Sequence, residues 1–271
     1  MSKIRVAAVE YLNALPLVHG LDAQPDLFAM QYDVPARCAA LLHDGTVDLS
    51  LIPSIEYLQR PNYRIVPGVA VGSHGPVASV ALFSKRPATA IRSIAVDSSS
   101  RTANALLRIL CVQWFDTDPT FVKMRPDLEP MLKRCDAALI IGDRALFTDH
   151  EAAGLEKIDL GEEWSTMTGM PFVWAFWAGR PGVVGPEHLA ALQAARDRGV
   201  EAHDEIARKF VAPDDDEERL ETVRGYLRDN IECLLDDRRI ASLNKFYEKA
   251  NELGVVPAPR PLRFYEGADS R

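Results

Sequence analysis

The stretch Val96-Asp97-Ser98-Ser99-Ser100-Arg101-Thr102-Ala103-Asn104-Ala105-Leu106-Leu107 ends an apolar run that starts at Ile94 and opens a helical pattern that continues to Leu110. It reads as a strand, a hydroxyl-rich turn and the first turn of a helix. The free N–H groups and the positive dipole end of such a helix make an anion site. Serine and threonine hydroxyls add donors, and Arg101 offers a fork matched to a carboxylate. A serine N-cap followed by a surface arginine accounts for the same residues and, for this stretch alone, is the simpler account.

The same strand–turn–helix unit recurs on both sides. Toward the N-terminus the patterning predicts strands over 4–9, 28–34, 47–52, 66–71 and 77–83, with helical starts around Pro16, Pro35 and Pro53. Toward the C-terminus it predicts strands over 91–96, 120–124, 137–141, 157–160 and 172–177, alternating with helices over 102–115, 126–134, 143–149 and 161–167. Strands alternating with helices through short links imply mostly parallel sheets flanked by helices. From Gly185 the character becomes helical, with a long alanine-rich helix expected over 187–210 and an amphipathic one over 236–253. The acidic run Asp214-Asp215-Asp216-Glu217-Glu218 fits the start of a helix, where it complements the dipole. The tail carrying Pro257, Pro259 and Pro261 is expected to be extended on the surface.

The expected architecture is therefore α/β with two lobes and a helical C-terminal region. Residues 1–87 with 179–271 would form lobe 1, and residues 88–178 lobe 2, with a cleft between them. Open α/β sheets bind ligands beyond the carboxyl ends of their strands. The residues in those places are Tyr11 and Asn13, Ser54, Ser79 on a strand that crosses between lobes, Ser99 to Thr102, and Gly142 with Asp143. Neutral donors with one arginine suit a small polar anion. Asn13 and Asp143 also fit plain helix caps, and Trp164, Trp174 and Trp177 fit core or hinge packing.

Bulk properties exclude several classes. A formal net charge of −8 over 271 residues disfavours non-specific binding to nucleic acid or an anionic membrane. No apolar run approaches a membrane span, and the N-terminus shows no secretory pattern. The four cysteines form no CxxC pair and read as buried free thiols. A cytoplasmic protein is expected. The six histidines lack zinc-ligand spacing, and GxGxxG, GxxxxGK[ST] and GxSxG are missing from the sequence, so metal, dinucleotide, P-loop and serine-elbow chemistry have no anchor. Without a histidine base nearby, Ser98 to Ser100 read as binding groups rather than nucleophiles.

Six motifs in series resemble one family. They are Tyr11-Leu12-Asn13-Ala14-Leu15-Pro16-Leu17, Asp48 to Tyr57, Gly75-Pro76-Val77-Ala78-Ser79-Val80, Ser98-Ser99-Ser100-Arg101-Thr102, Ile140 to Leu146, and Asp159 to Trp164 with Thr168 to Val173. Each is weak alone, but in order over 4–178 they resemble the chorismate dehydratases (MqnA) of the futalosine route to menaquinone. The resemblance implies a type II periplasmic-binding-protein-like fold and conversion of chorismate to 3-[(1-carboxyvinyl)oxy]benzoate with loss of water. It implies no metal and no organic cofactor. It places the family's functional asparagine on Asn13, its substrate-binding serine on Ser79 and its Ser-Arg-Thr element on Ser100, Arg101 and Thr102. The partner implied is a small-molecule substrate, with a homodimer left open.

Two other readings compete. One is a non-catalytic small-anion binder of the same fold. The other is the sister menaquinone-pathway enzyme acting on cyclic futalosine derivatives. A secreted receptor would carry a signal peptide, and an effector domain a helix-turn-helix before residue 4. The sister enzymes have a Ser/Pro/Cys-rich first turn, where this sequence has Tyr-Leu-Asn-Ala-Leu-Pro. In the dehydratase reading no protein base stands out, since Glu10 and Glu56 are not obviously placed. One hypothesis is that the enolpyruvyl carboxylate of the substrate takes the proton, a protein group being the alternative.

Overall fold

The computed structural model describes residues 3–212 and 216–266. The first four strands are β1 (Ile4–Ala8), β2 (Phe28–Tyr32), β3 (Leu49–Pro53) and β4 (Arg64–Ser73). The remaining six are β5 (Val80–Ser84), β6 (Ser93–Val96), β7 (Thr120–Lys123), β8 (Ala137–Ile141), β9 (Glu156–Asp159) and β10 (Phe172–Gly179). They form two five-stranded sheets, ordered β2-β1-β3-β10-β4 and β7-β6-β8-β5-β9. In each sheet the pairings make four strands run one way and one strand the other. The reversed strand is β10 in the first sheet and β5 in the second. Each arrives from the opposite lobe, and the two sheets share this arrangement.

This exchange corrects the boundaries expected from sequence. A division at 87 and 178 puts β5 with lobe 1 and β10 with lobe 2, yet each pairs in the other sheet. β5 is apolar up to Ser84 and fully buried, and β10 is apolar throughout and buried except at Ala175. A strand buried on both faces carries no mark of which sheet it joins. The first crossing is residues 74–79 and the second residues 169–171.

Ten helices flank the sheets among the described residues. They are α1 (Leu15–Val18), α2 (Pro35–His43), α3 (Arg101–Gln113), α4 (Leu128–Arg134), α5 (Asp143–Leu146), α6 (Leu160–Thr168), α7 (Pro186–Glu201), α8 (His203–Val211), α9 (Glu217–Gly225) and α10 (Asp237–Glu252). The single helix expected over 187–210 is two helices, broken at Ala202, where the amide bonds back to Arg198 O. The expected strand over 77–83 starts only at Val80, because Ala78 takes a left-handed φ of 59° in the crossing. Asp214 and Asp215 of the acidic run lie outside the described residues. Asp216 caps α9 by accepting from Arg219 N–H at 2.9 Å. The proline tail is not merely superficial. Phe264 bridges to Ile65, and Tyr265 is buried with its hydroxyl donating to Arg180 O at 2.6 Å.

Trp164 joins the lobes at the second crossing. Its indole N–H donates to Pro171 O and Ser242 Oγ, each at 3.1 Å. Its ring lies edge-on to Phe172 at 5.3 Å, and Phe172 lies edge-on to Phe246 of α10 at 4.9 Å. The hinge-packing expectation holds for this tryptophan. The first crossing is held by Asp159, whose carboxylate accepts from the N–H groups of Val77, Ala78, Gly161 and Glu162 at 2.6–3.1 Å.

At the opposite edge of lobe 1, Asp48 ties β1 to β3. It accepts from Arg5 N–H (2.9 Å) and from Arg5 Nε and NH2 (3.0 and 2.8 Å), and it also pairs with Arg180 beyond β10. The Arg5 hydrogen bonds hold the carboxyl down at about 2. A depressed native pKa stabilises the fold above the ordinary value of 3.8 and ceases to do so as pH falls toward 2. Asp48→Asn is therefore expected to cost about 1–2 kcal/mol at pH 7 and almost nothing near pH 2. Urea denaturation at the two pH values measures the difference.

Candidate active site

The carboxyl ends of the two sheets face a cavity between the lobes. Its walls are largely apolar, with Val9, Leu51, Val71, Val80, Ile141 and Trp174 among them. Trp174 is anchored by its indole N–H, which donates to Ser73 Oγ at 3.0 Å, so its ring forms part of the wall. Among the described residues the lining has no histidine, carboxylate, lysine or cysteine.

The polar part of the lining is built from two loops. One is the turn after β6 that starts α3. The Ser99 side chain there is spent on Asp97: the residue's N–H donates to Asp97 Oδ1 at 3.1 Å and its hydroxyl to Oδ2. Ser100 is the N-cap, yet its side chain caps nothing. Asn104 N–H bonds Ser100 O at 2.9 Å, which begins the helical ladder. The N–H groups of Thr102 and Ala103 have no intramolecular partner among the described residues. Both residues and Ser100 line the cavity. An uncapped helix start with two free amides and a free hydroxyl is an anion site.

The other loop is the turn Leu12–Ala14 after β1. Tyr11 and Asn13 line the cavity, and neither side chain has a hydrogen-bond partner among the described residues. Burial, with the charges of Asp97 and Asp143, pushes the Tyr11 hydroxyl above its ordinary value, so it remains a donor. Gly142 sits opposite at φ 70°, and a Cβ there would lie 3.4 Å from the Tyr11 ring. A side chain at position 142 would strain the turn and press on that ring.

Three sequence candidates stand behind the lining rather than in it. Ser54 is fully buried, with Oγ 3.5 Å from Thr102 Oγ1. Ser79 is buried, with Oγ 2.7 Å from the Tyr226 hydroxyl. Asp143 accepts from Leu12 N–H at 3.3 Å, and burial raises its carboxyl above the ordinary range. All three lie at contacts between lobes or between a crossing and the C-terminal helices. Thr102 does both, since it lines the cavity and its Oγ1 accepts from Ile55 N–H at 3.3 Å. Arg101 lines the cavity and pairs with Glu56 of lobe 1 at 2.7 Å.

Sequence reasoning missed Tyr226, Trp174 as a wall, and the acceptor of Arg101. Tyr226 opens a π turn, Tyr226–Asn230, and is wholly buried. Asn230 of the same turn donates to Pro76 O at 2.9 Å, so this turn grips the first crossing at two points. Glu56 is visible in sequence only as a lone acid in an apolar helical turn.

Two lobes, two exchanged strands and a cleft lined from both sides define a type II periplasmic-binding-protein-like fold. Solved structures agree. Protein AF1704 from Archaeoglobus fulgidus is 20% identical with a TM-score of 0.73, covering 94% of this chain and 99% of that one. The alkanesulfonate-binding protein SsuA from Xanthomonas axonopodis pv. citri, bound to MOPS, is 13% identical with a TM-score of 0.69, covering 95% of each chain. The chain belongs to the menaquinone biosynthesis family, whose pattern it matches over residues 4–252. It is 33% identical over 214 residues to the chorismate dehydratase of Thermus thermophilus, a match spanning 73% of this chain and 78% of that protein.

Proposed function

We propose that the protein is a hydro-lyase that converts chorismate to 3-[(1-carboxyvinyl)oxy]benzoate and water, acting in the cytoplasm. The observation that carries this reading is the uncapped start of α3, opening into an apolar cavity opposite the free amide of Asn13. Chorismate carries one carboxylate on an unsaturated ring and a second on its enolpyruvyl ether, and the cavity offers an anion site within apolar walls. Membership of the menaquinone biosynthesis family and the similarity to a chorismate dehydratase support the same assignment. The four buried, unpaired cysteines fit a reducing compartment.

The chemistry asks little of the protein. The proton at C3 is acidified through the double bond conjugated to the ring carboxylate. Its C–H electron pair becomes the C3–C4 double bond as the C4 hydroxyl leaves, and proton and hydroxide together make water. The ring becomes aromatic. Ser100 with the Thr102 and Ala103 amides would hold one carboxylate, and Arg101 would add charge. Tyr11 and Asn13 would bond the ring hydroxyl as it departs. Because the lining, among the described residues, offers no histidine, carboxylate, lysine or cysteine to take the proton, the enolpyruvyl carboxylate of the substrate is assigned as the base.

Purified protein incubated with chorismate is expected to release the benzoate product, seen by mass spectrometry and ultraviolet absorbance. Chorismate bound but recovered intact would replace the lyase by a binding protein of the same fold.

A further inference from the structure

Behind Arg101 runs a chain of polar groups that the reaction as written does not use. Glu56 lies in the 3-10 turn Ser54–Gln59, and its side chain is only 3% exposed. Its Oε2 accepts from Arg101 NH1 at 2.7 Å and from His43 Nε2 at 2.9 Å. His43 ends α2, and its Nδ1 lies 2.8 Å from the Tyr63 hydroxyl. The His43 and Tyr63 rings are stacked at 5.7 Å, which sets the imidazole plane. An ionised Glu56 can only accept, so His43 Nε2 carries a proton and a neutral ring accepts from Tyr63 at Nδ1. Every donor in the chain thus points toward Glu56.

The partners are divided unevenly. His43, Tyr63 and Glu56 all belong to lobe 1, whereas Arg101 belongs to lobe 2. A carboxylate this buried is costly unless it is paired and hydrogen-bonded. Opening the cleft removes its arginine partner, whereas closure supplies it. The adjacent contacts act in the same direction, because Thr102 Oγ1 meets Ile55 N–H across the same seam. Tyr247 of α10 supports the seam from below, its hydroxyl donating to Ser54 O at 2.5 Å. Arg101 gives NH1 to Glu56, which leaves its other guanidinium nitrogens for the cavity that the residue lines.

We propose that Glu56, oriented by His43 and Tyr63, is a positioning residue that latches lobe 2 onto lobe 1 and aims Arg101 at a substrate carboxylate. The proposal rests on the chorismate reading for its substrate, but the latch itself needs no ligand. Small-angle scattering of the ligand-free protein and steady-state kinetics with chorismate therefore test it together. In Glu56→Gln, which keeps the shape and removes the charge, the radius of gyration should rise and KM for chorismate increase about tenfold or more, with kcat within about threefold of wild type. A purely structural role would lower the melting temperature and the active fraction while leaving KM unchanged. Wild-type KM, or an unchanged radius of gyration, in folded Glu56→Gln overturns the proposal. Should that variant fail to fold, Tyr63→Phe deletes only the outermost hydroxyl. It should raise KM about two- to threefold at constant kcat, and an unaltered KM there overturns the proposal equally. Failure of the wild-type protein to consume chorismate would instead reject the substrate, and the scattering comparison would still judge the latch.

Discussion

Asn13→Ala is expected to lower chorismate turnover about 10²- to 10³-fold, the usual cost of losing one donor aimed at developing negative charge. Its melting temperature should stay at the wild-type value, because the Asn13 amide makes no hydrogen bond among the described residues. The turn that carries it is held by other means: Leu12 N–H bonds Asp143, and the Tyr11 ring faces Gly142. KM should change little, since in the proposed reading the carboxylate that anchors the substrate is held on the α3 side. Steady-state kinetics and a thermal melt on the same preparation check both halves. Turnover within threefold of wild type would remove Asn13 from the reaction.

Gly199→Ala should be the most damaging small substitution in the fold. Glycine in a helix interior is ordinarily about 1 kcal/mol worse than alanine, so the substitution would normally stabilise. Here a Cβ on Gly199 of α7 would lie 2.0 Å from Pro16 O and 2.6 Å from Pro16 Cα and C. These are backbone atoms of α1, which no rotamer change can move. The two helices must separate, at a cost of about 3 kcal/mol or more. Because α1 follows directly on the Leu12–Ala14 turn, its displacement should also shift Asn13 and reduce turnover among the molecules that remain folded. Urea denaturation gives the sign: stability at or above wild type would mean that α1 and α7 are not locked at this contact.

What could be read from the sequence was local. The strand–turn–helix around Ser100 was legible because an apolar run, hydroxyls and a 3.6-residue pattern lie within one segment. For the same reason Asn13, Tyr11, Ser100, Arg101, Thr102 and Gly142 fall on the cavity. Missed features depend on partners far away in the chain. Glu56 meets Arg101 45 residues on, and Ser79 meets Tyr226 147 residues on. Neither distance leaves a periodicity to detect. Ser54, Ser79 and Asp143 look like ligand contacts in sequence, but the folded chain uses them to join its own parts. The break at Ala202 was hidden because alanine favours continuing a helix, and nothing local signals the stop.

The exchange of β5 and β10 between the sheets has a consequence for synthesis. In the first sheet β10 is the only strand paired with β4 among the described residues, and β10 also covers one side of β3. A nascent chain that has just completed β4 therefore holds an open strand edge and an unplaced strand. At ribosomal speeds of roughly 5–20 residues per second, the wait for Phe172–Gly179 is on the order of ten seconds. Exposed edges of that kind invite pairing with other chains. The two lobes are thus obliged to mature together, and neither can serve as a self-sufficient fragment for domain transplantation.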